Sequence, residues 1–193
     1  MLKLICRFIF RLQGWTLDDQ LPPEIKRCLI LAAPHTSNWD FWYTMAAFAQ
    51  YGIKIRFTVK KEWMRFPFSL IMKPLGAIPI DRSPKSNGQR PSATEAMAQL
   101  FAEQEELVLV ITPEGSRSLR KEWKTGFYYV AEAAQVPILF GYVDYAKKKA
   151  GIGGMVQPTT IEKTLEQVMA FYSKISPKFP AKFSVDNRYH STP

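Results

Sequence analysis

The chain has 193 residues, 47% hydrophobic and 13% aromatic, enough for one compact domain with a full core and unlike a disordered or low-complexity chain. Lys and Arg outnumber Asp and Glu by 26 − 17 = 9, so the partner surface is expected to be anionic: nucleic acid, lipid headgroups, or phosphorylated and acidic-carrier substrates. Two cysteines, Cys6 and Cys28, and two histidines, His35 and His190, carry no metal-ligand spacing. That argues against a zinc site and a disulfide framework, and for a reducing, cytoplasmic setting.

Met1 to Trp15 is basic and amphipathic, with Lys3, Arg7 and Arg11 on one helical face and Leu2, Ile5, Phe8, Ile9 and Leu12 on the other. It is shorter than the roughly 20 apolar residues of a membrane span and lacks a small-residue cleavage site. It reads as a helix lying in a membrane interface; the alternative is a first helix packed on the protein's own core. Gly14 to Lys26, with Asp18-Asp19 and Pro22-Pro23, reads as a connector.

Cys28 to Ala33 is an unbroken apolar run, the pattern of a strand covered on both faces. It empties into Pro34-His35-Thr36-Ser37-Asn38-Trp39-Asp40, where Thr36, Ser37 and Asn38 are capping candidates for a helix carrying Phe41, Met45, Phe48 and Ala49. Ile53 to Val59 alternates apolar and polar residues like a half-covered strand. Glu62 to Pro74 mixes Trp63, Met64, Phe66, Phe68, Leu70, Ile71 and Met72 with basic residues. It is either a second membrane-facing surface or a buried helix with a basic rim. Gly76 to Ile80 is a short strand running into Asp81-Arg82-Ser83, and Ser86 to Arg90 a polar loop.

Ser92-Ala93-Thr94-Glu95 is a capping box opening a helix with Ala93, Met97, Leu100 and Phe101 on its core face. Leu107 to Ile111 is the clearest buried strand and delivers Thr112-Pro113-Glu114-Gly115-Ser116-Arg117-Ser118. Lys124-Thr125-Gly126 leads a helix through Phe127, Val130, Ala131 and Ala134. Pro137 to Val143 is another strand, and after a loop with Lys147-Lys148-Lys149 a last strand falls near Met155-Val156. Thr159-Thr160-Ile161-Glu162 opens a final helix with Leu165, Val168, Met169 and Tyr172 on one face; from Ser176 the chain is polar, proline-broken and expected to pack loosely. The alternation predicts a single α/β domain over 1–193, a mostly parallel sheet covered by helices on both faces.

Three polar clusters fall at strand ends: His35 with Asp40, Arg82, and Glu114-Gly115-Ser116-Arg117. Taken singly they read as a surface histidine, a surface arginine, an ordinary turn and a solvated charge. In a parallel sheet those ends share one edge, where ligands bind. A histidine with a nearby carboxylate is the minimum equipment of a general base. Arginine matches phosphate through paired hydrogen bonds, and Gly115 would let backbone approach a ligand. Together they suit a phosphorylated alcohol.

The clusters, in this order, resemble the glycerolipid acyltransferase family, which includes the 1-acylglycerol-3-phosphate acyltransferases. His35-x-x-x-x-Asp40 is similar to that family's catalytic block, Gly76-Ala77-Ile78-Pro79-Ile80-Asp81-Arg82 to its second, Pro113-Glu114-Gly115-Ser116-Arg117-Ser118 to its third, and Val136-Pro137-Ile138 to its fourth. The resemblance implies acyl transfer from a thioester, on coenzyme A or acyl carrier protein, to a hydroxyl of a glycerol phosphate or lysophospholipid, most simply 1-acylglycerol 3-phosphate. It implies His35 as base, Asp40 as its support, and no metal or other cofactor. Arg82, Glu114, Gly115, Ser116 and Arg117 would bind the acceptor. Glu114 would accept from an acceptor hydroxyl or orient an arginine, and Lys124 would be a further phosphate ligand. Pro34 stands where many members carry asparagine, Thr112 where phenylalanine is common and Ser116 where threonine is usual, and the long apolar N-terminal anchor of many relatives is not seen. The acceptor therefore stays open between lysophosphatidate, another lysolipid and an amino-acid-based lipid.

The expected setting is the cytoplasmic face of a membrane, engaged through Met1–Trp15 and the 63–72 stretch, with acyl carrier protein as a further partner. Two other readings compete: an acyl-thioester hydrolase on the same fold, and a non-catalytic basic module for lipid or nucleic acid. Most aromatics occupy core-periodic positions rather than a basic stacking strip, which argues against nucleic acid.

Overall fold

The computed structural model describes residues 2–21, 25–80 and 92–190. Arg82 and the 86–90 loop lie outside the described residues. Thirteen elements follow in order: α1 (Leu2–Leu12), β1 (Thr16–Asp19), β2 (Arg27–Ala32), α2 (Asn38–Tyr51), β3 (Ile55–Lys60), α3 (Ser69–Met72), β4 (Ala77–Ile80), α4 (Ala93–Glu103), β5 (Leu107–Ile111), α5 (Gly126–Ala134), β6 (Ile138–Asp144), β7 (Lys149–Val156) and α6 (Ile161–Tyr172), with short 3-10 turns at Lys61–Met64 and Pro180–Lys182.

They build one seven-stranded sheet in the order β1-β7-β6-β2-β5-β3-β4. From β6 to β4 the neighbours run parallel, whereas β7 returns antiparallel to β6 and carries β1 parallel on its outer edge. The apolar runs explain the centre. In β2 and β5 alternate residues serve opposite faces: Leu29, Leu31, Leu107 and Leu109 pack with α4, α5 and α6, while Cys28, Ile30, Val108 and Val110 pack with Phe48 of α2. Each such buried side chain contributes on the order of 1.5–3 kcal/mol relative to exposure.

Three differences from the sequence reading have physical causes. The connector over Gly14–Lys26 holds β1, whose Asp18 is buried and accepts a 2.5 Å hydrogen bond from the Tyr142 hydroxyl, with Lys149 Nζ at 3.1 Å. The last strand begins at Lys149, not near Met155, since β6 and β7 form a hairpin. The segment beyond Ser176, expected to be loose, is strapped to the core. Asp186 is fully buried, accepting from the backbone N–H of Trp123 at 2.9 Å and from Arg188 at 2.7 Å. Burial pushes its carboxyl up, but the hydrogen bonds from Arg188 and from the Trp123 and Arg188 amides outweigh that and hold it below the usual range. Phe183, Val185 and Tyr189 pack beside it.

Candidate active site

The C-terminal ends of β2, β5 and β6 lie side by side, so the turns that follow them meet at one edge. After β2 comes the turn that carries His35. Ser37 is the N-cap of α2; its hydroxyl accepts from Trp39 N at 3.0 Å and Asp40, at N3, accepts from Ser37 N at 2.7 Å. Asp40 is thus both the carboxylate nearest His35 and half of a capping box, placed where the helix dipole favours negative charge. The spacing Ser37-x-x-Asp40 is itself a capping signature that the motif reading passed over.

Asp40 is 4% exposed. Oδ2 accepts from the Thr36 and Ser37 amides, both at 2.7 Å, and Oδ1 from Ser37 Oγ at 3.2 Å and the Tyr145 hydroxyl at 2.7 Å. His35 Nδ1 stands 3.9 Å from Oδ2, within ion-pair range and beyond hydrogen-bond length. Asp40 therefore acts on His35 through its field and the fixed turn rather than through a short bond. Burial holds the imidazole below its ordinary value; the charge of Asp40 pulls it up and that of Arg117 adds to the lowering. A ring so placed is neutral near pH 7 and able to take a proton.

The turn after β5 braces this loop. Glu114 is 2% exposed, and its Oε1 accepts the backbone N–H of His35 at 2.7 Å. Burial pushes its carboxyl up to about 7, against the hydrogen bond from His35 N, with Asp40's charge adding to the rise. Glu114, expected at an acceptor hydroxyl or an arginine, holds the histidine's own backbone through Oε1. Gly115 has φ +68°, and a Cβ there would meet Lys124 Cε and Nζ at 2.8 Å. The space above Gly115 is filled by the Lys124 side chain, so this glycine makes room for an ammonium. Lys124 N also donates to Pro113 O at 2.9 Å, tying the two turns together.

A cavity of about 610 Å³ opens here, lined at one end by His35, Asp40, Gly115 and Lys124 and running between Phe41, Met45 and Phe57 on one side and Met97 and Phe127 on the other. Polar groups thus sit at one end of an apolar volume, as small-ligand sites require. Ser116 and Arg117 are outside this lining. Arg117 is exposed, yet near enough for its charge to reach His35. Ser116 Oγ accepts from Arg120 Nε at 3.0 Å. Among the described residues no group of three or more His, Cys, Asp and Glu side chains stands together to hold a metal.

The β6 flank was not visible as a site. Tyr145, just past β6, reaches Asp40, and its ring packs edge-on to Trp15 and Tyr43, with centres 5.3 and 5.9 Å away. The fully buried Tyr172 of α6 donates to Leu31 O at 2.9 Å and Gly141 O at 3.1 Å, clamping β2 to β6 just before the turn. Neither tyrosine belongs to a local motif.

Comparisons with curated proteins and with solved structures returned no match. A family model described as Acyltransferase matches residues 16–140, a span that contains all four blocks quoted above. Covering more than half of the chain, it identifies this protein as a member of the acyltransferase family and an acyl-transferring enzyme.

Proposed function

We propose that the enzyme transfers a fatty acyl group from a thioester, on coenzyme A or acyl carrier protein, to a hydroxyl of 1-acylglycerol 3-phosphate or a related lysophospholipid, in phospholipid biosynthesis at a membrane surface. The observation that carries this is His35 at the polar end of an apolar cavity, with Asp40 fixed behind it. His35 takes the proton of the acceptor hydroxyl as its oxygen attacks the thioester carbonyl. The C–S bond of the tetrahedral intermediate then breaks, and the proton passes from the imidazolium to the leaving thiolate. Asp40's charge supports the imidazolium between these steps. Lys124 and Arg117 supply positive charge for the acceptor's phosphate, and the apolar walls suit an acyl chain. Arg82 retains its role from the family resemblance alone.

Membrane contact is the second half of the proposal. Helix α1 is pinned to the protein through buried Cys6 and Phe10, and it turns Leu4, Ile5, Phe8, Ile9 and Leu12 outward, between 43 and 74% exposed. Arg7 and Arg11 border that stripe on the same helix. One face of the segment packs inward, as the second alternative expects, and the other is uncovered. Trp39 and Trp42 on α2 and Phe66, Phe68 and Leu70 around α3 are also at least half exposed. Apolar residues edged by cations suit the interface of an anionic bilayer. No helix among the described residues is long and apolar enough to cross a membrane.

The test is thiol release from acyl-coenzyme A in detergent, with and without 1-acylglycerol 3-phosphate, beside His35→Ala. Acceptor-dependent release that vanishes in the variant is expected. Release indifferent to every lysolipid offered would make the enzyme a hydrolase and overturn the proposal.

A further inference from the structure

The strap after α6 brings two cations to the turn that holds His35. Lys178 Nζ lies 5.0 Å from the centre of the Trp39 ring, 5.8 Å from Tyr145 and 5.9 Å from Phe179. Lys182 Nζ lies 5.0 Å from the same Phe179 ring. Among the described residues neither lysine has a carboxylate at ion-pair distance. A ring face attracts an ammonium but does not satisfy its three N–H donors as oxygen does. From Gln167 to Val185 the chain carries Lys174, Lys178 and Lys182 and not one Asp or Glu.

Every ring of this group is tied to the histidine turn. Trp39 immediately precedes Asp40, Tyr145 donates to Asp40 Oδ1 at 2.7 Å, and Phe179 N donates to Thr36 Oγ1 at 3.4 Å. The turn follows β2, and β2 lies between β5, which leads to Gly115 and Lys124, and β6, which leads to Tyr145. Lys178 therefore borders the turn beside Tyr145, while Lys124 reaches the same turn from the β5 side. A transfer between two phosphate-bearing substrates needs a place for each anion.

We propose that Lys178, with Lys182 beside it, is a second phosphate-binding position, outside the family-matched span and beside Tyr145 on the β6 side of the histidine turn. Its ligand is a phosphate ester carried by a substrate: the phosphate at the end of the donor's pantetheine arm, or that of the lysolipid acceptor. The assignment to a substrate rests on the function proposed above. The rings hold the ammonium groups at the rim, where an arriving phosphate offers oxygen acceptors of opposite charge.

The experiment measures equilibrium binding to the full-length protein, without turnover, of two probe pairs: coenzyme A against pantetheine, and 1-acylglycerol 3-phosphate against 1-acylglycerol in micelles. Lys178→Gln/Lys182→Gln is expected to narrow the preference for the phosphorylated member of one pair by about five- to tenfold. Lys174→Gln, on the same strap without a ring partner among the described residues, should leave both preferences intact, and Lys178→Arg should restore most of the loss. The pair that responds names the source of the phosphate. Unchanged preferences in both pairs overturn the proposal, and so does loss confined to binding of anionic vesicles, which would make the lysines a membrane contact. If the preference narrows in a protein that transfers no acyl group, the phosphate site stands and the proposed reaction falls. If transfer proceeds and neither preference moves, the reverse holds.

Discussion

The two flanks of the histidine turn are built in opposite ways. On the β5 side one contiguous stretch does the work: Glu114 takes the backbone of His35, Gly115 clears space, and Lys124 fills it a few residues later. On the β6 side the support is gathered from afar. Tyr145 reaches Asp40 across 105 residues, and Tyr172 reaches Leu31 across 141. The first flank fixes the backbone that bears the imidazole, while the second fixes the carboxylate behind it. Chemistry that depends on a base and its support needs both, and they should fail differently.

The reference for that comparison is His35→Ala, which removes what both flanks serve. Acyl transfer should fall by about 10²–10⁴-fold, the usual contribution of a positioned general base, with the melting curve unchanged. Next comes the β5 flank. Glu114→Ala leaves the His35 N–H without its acceptor and should cost roughly 10–100-fold in kcat, since small misplacements of a reacting group are expensive. Glu114→Gln keeps an acceptor and should retain most activity. The pair also separates by pH. With the Glu114 carboxyl pushed up to about 7 from an ordinary 4.5, the folded state binds this proton more tightly than the unfolded chain. Its contribution to stability therefore declines as pH rises from about 4.5 to about 7 and is constant above. Melting temperatures of wild type and Glu114→Gln followed across that window should converge in slope only above it.

A smaller effect is expected on the other flank. Tyr145→Phe removes one donor from Asp40, leaving the carboxylate's charge less spread and its pull on the imidazolium stronger. The acid limb of the rate profile, where His35 loses its proton, should move up by about 0.3–0.5 pH unit, with kcat lower by a few-fold. A purely structural tyrosine would lower the melting temperature and leave that limb in place. The mildest change in activity is expected from Asp186→Ala, which frees the strap by orphaning Trp123 N and Arg188. Loss of these bonds should cost about 1–3 kcal/mol, roughly 2–12 °C in Tm for a chain of this size, with kcat per folded molecule little changed.

The same contrast explains how much could be read from the chain. The central strands and the Pro113–Ser118 stretch announce themselves because their determinants are consecutive: apolar runs, then a turn. Helix α6 shows its apolar face and buries it, with Leu165, Val168, Met169 and Tyr172 wholly covered. Helix α1 shows a similar face and leaves most of it open, because periodicity specifies a helix but not its cover. Strand β1 hid because its four residues include two aspartates, one of them neutralised by Tyr142 and Lys149 far along the chain. The strap hid for a like reason: its polarity is absorbed by one buried carboxylate bonded to Trp123 and Arg188. Arg117 and Lys124 fall near His35 as their positions suggest, but only three-dimensional contact shows that Glu114 faces backbone and not the cavity.

The clamp formed by Tyr172 has a consequence for the order in which the protein is made. By the time synthesis passes residue 140, every block that marks the family has been laid down. The hydroxyl that joins Leu31 to Gly141, the phenol that meets Asp40, and the carboxylate that receives Trp123 have not. An unfinished chain can carry the full recognisable signature while the edge of the sheet beside His35 is still unlatched. Synthesis beyond residue 140 closes that latch, so a product ended there would keep its family likeness and lack the braces of its centre.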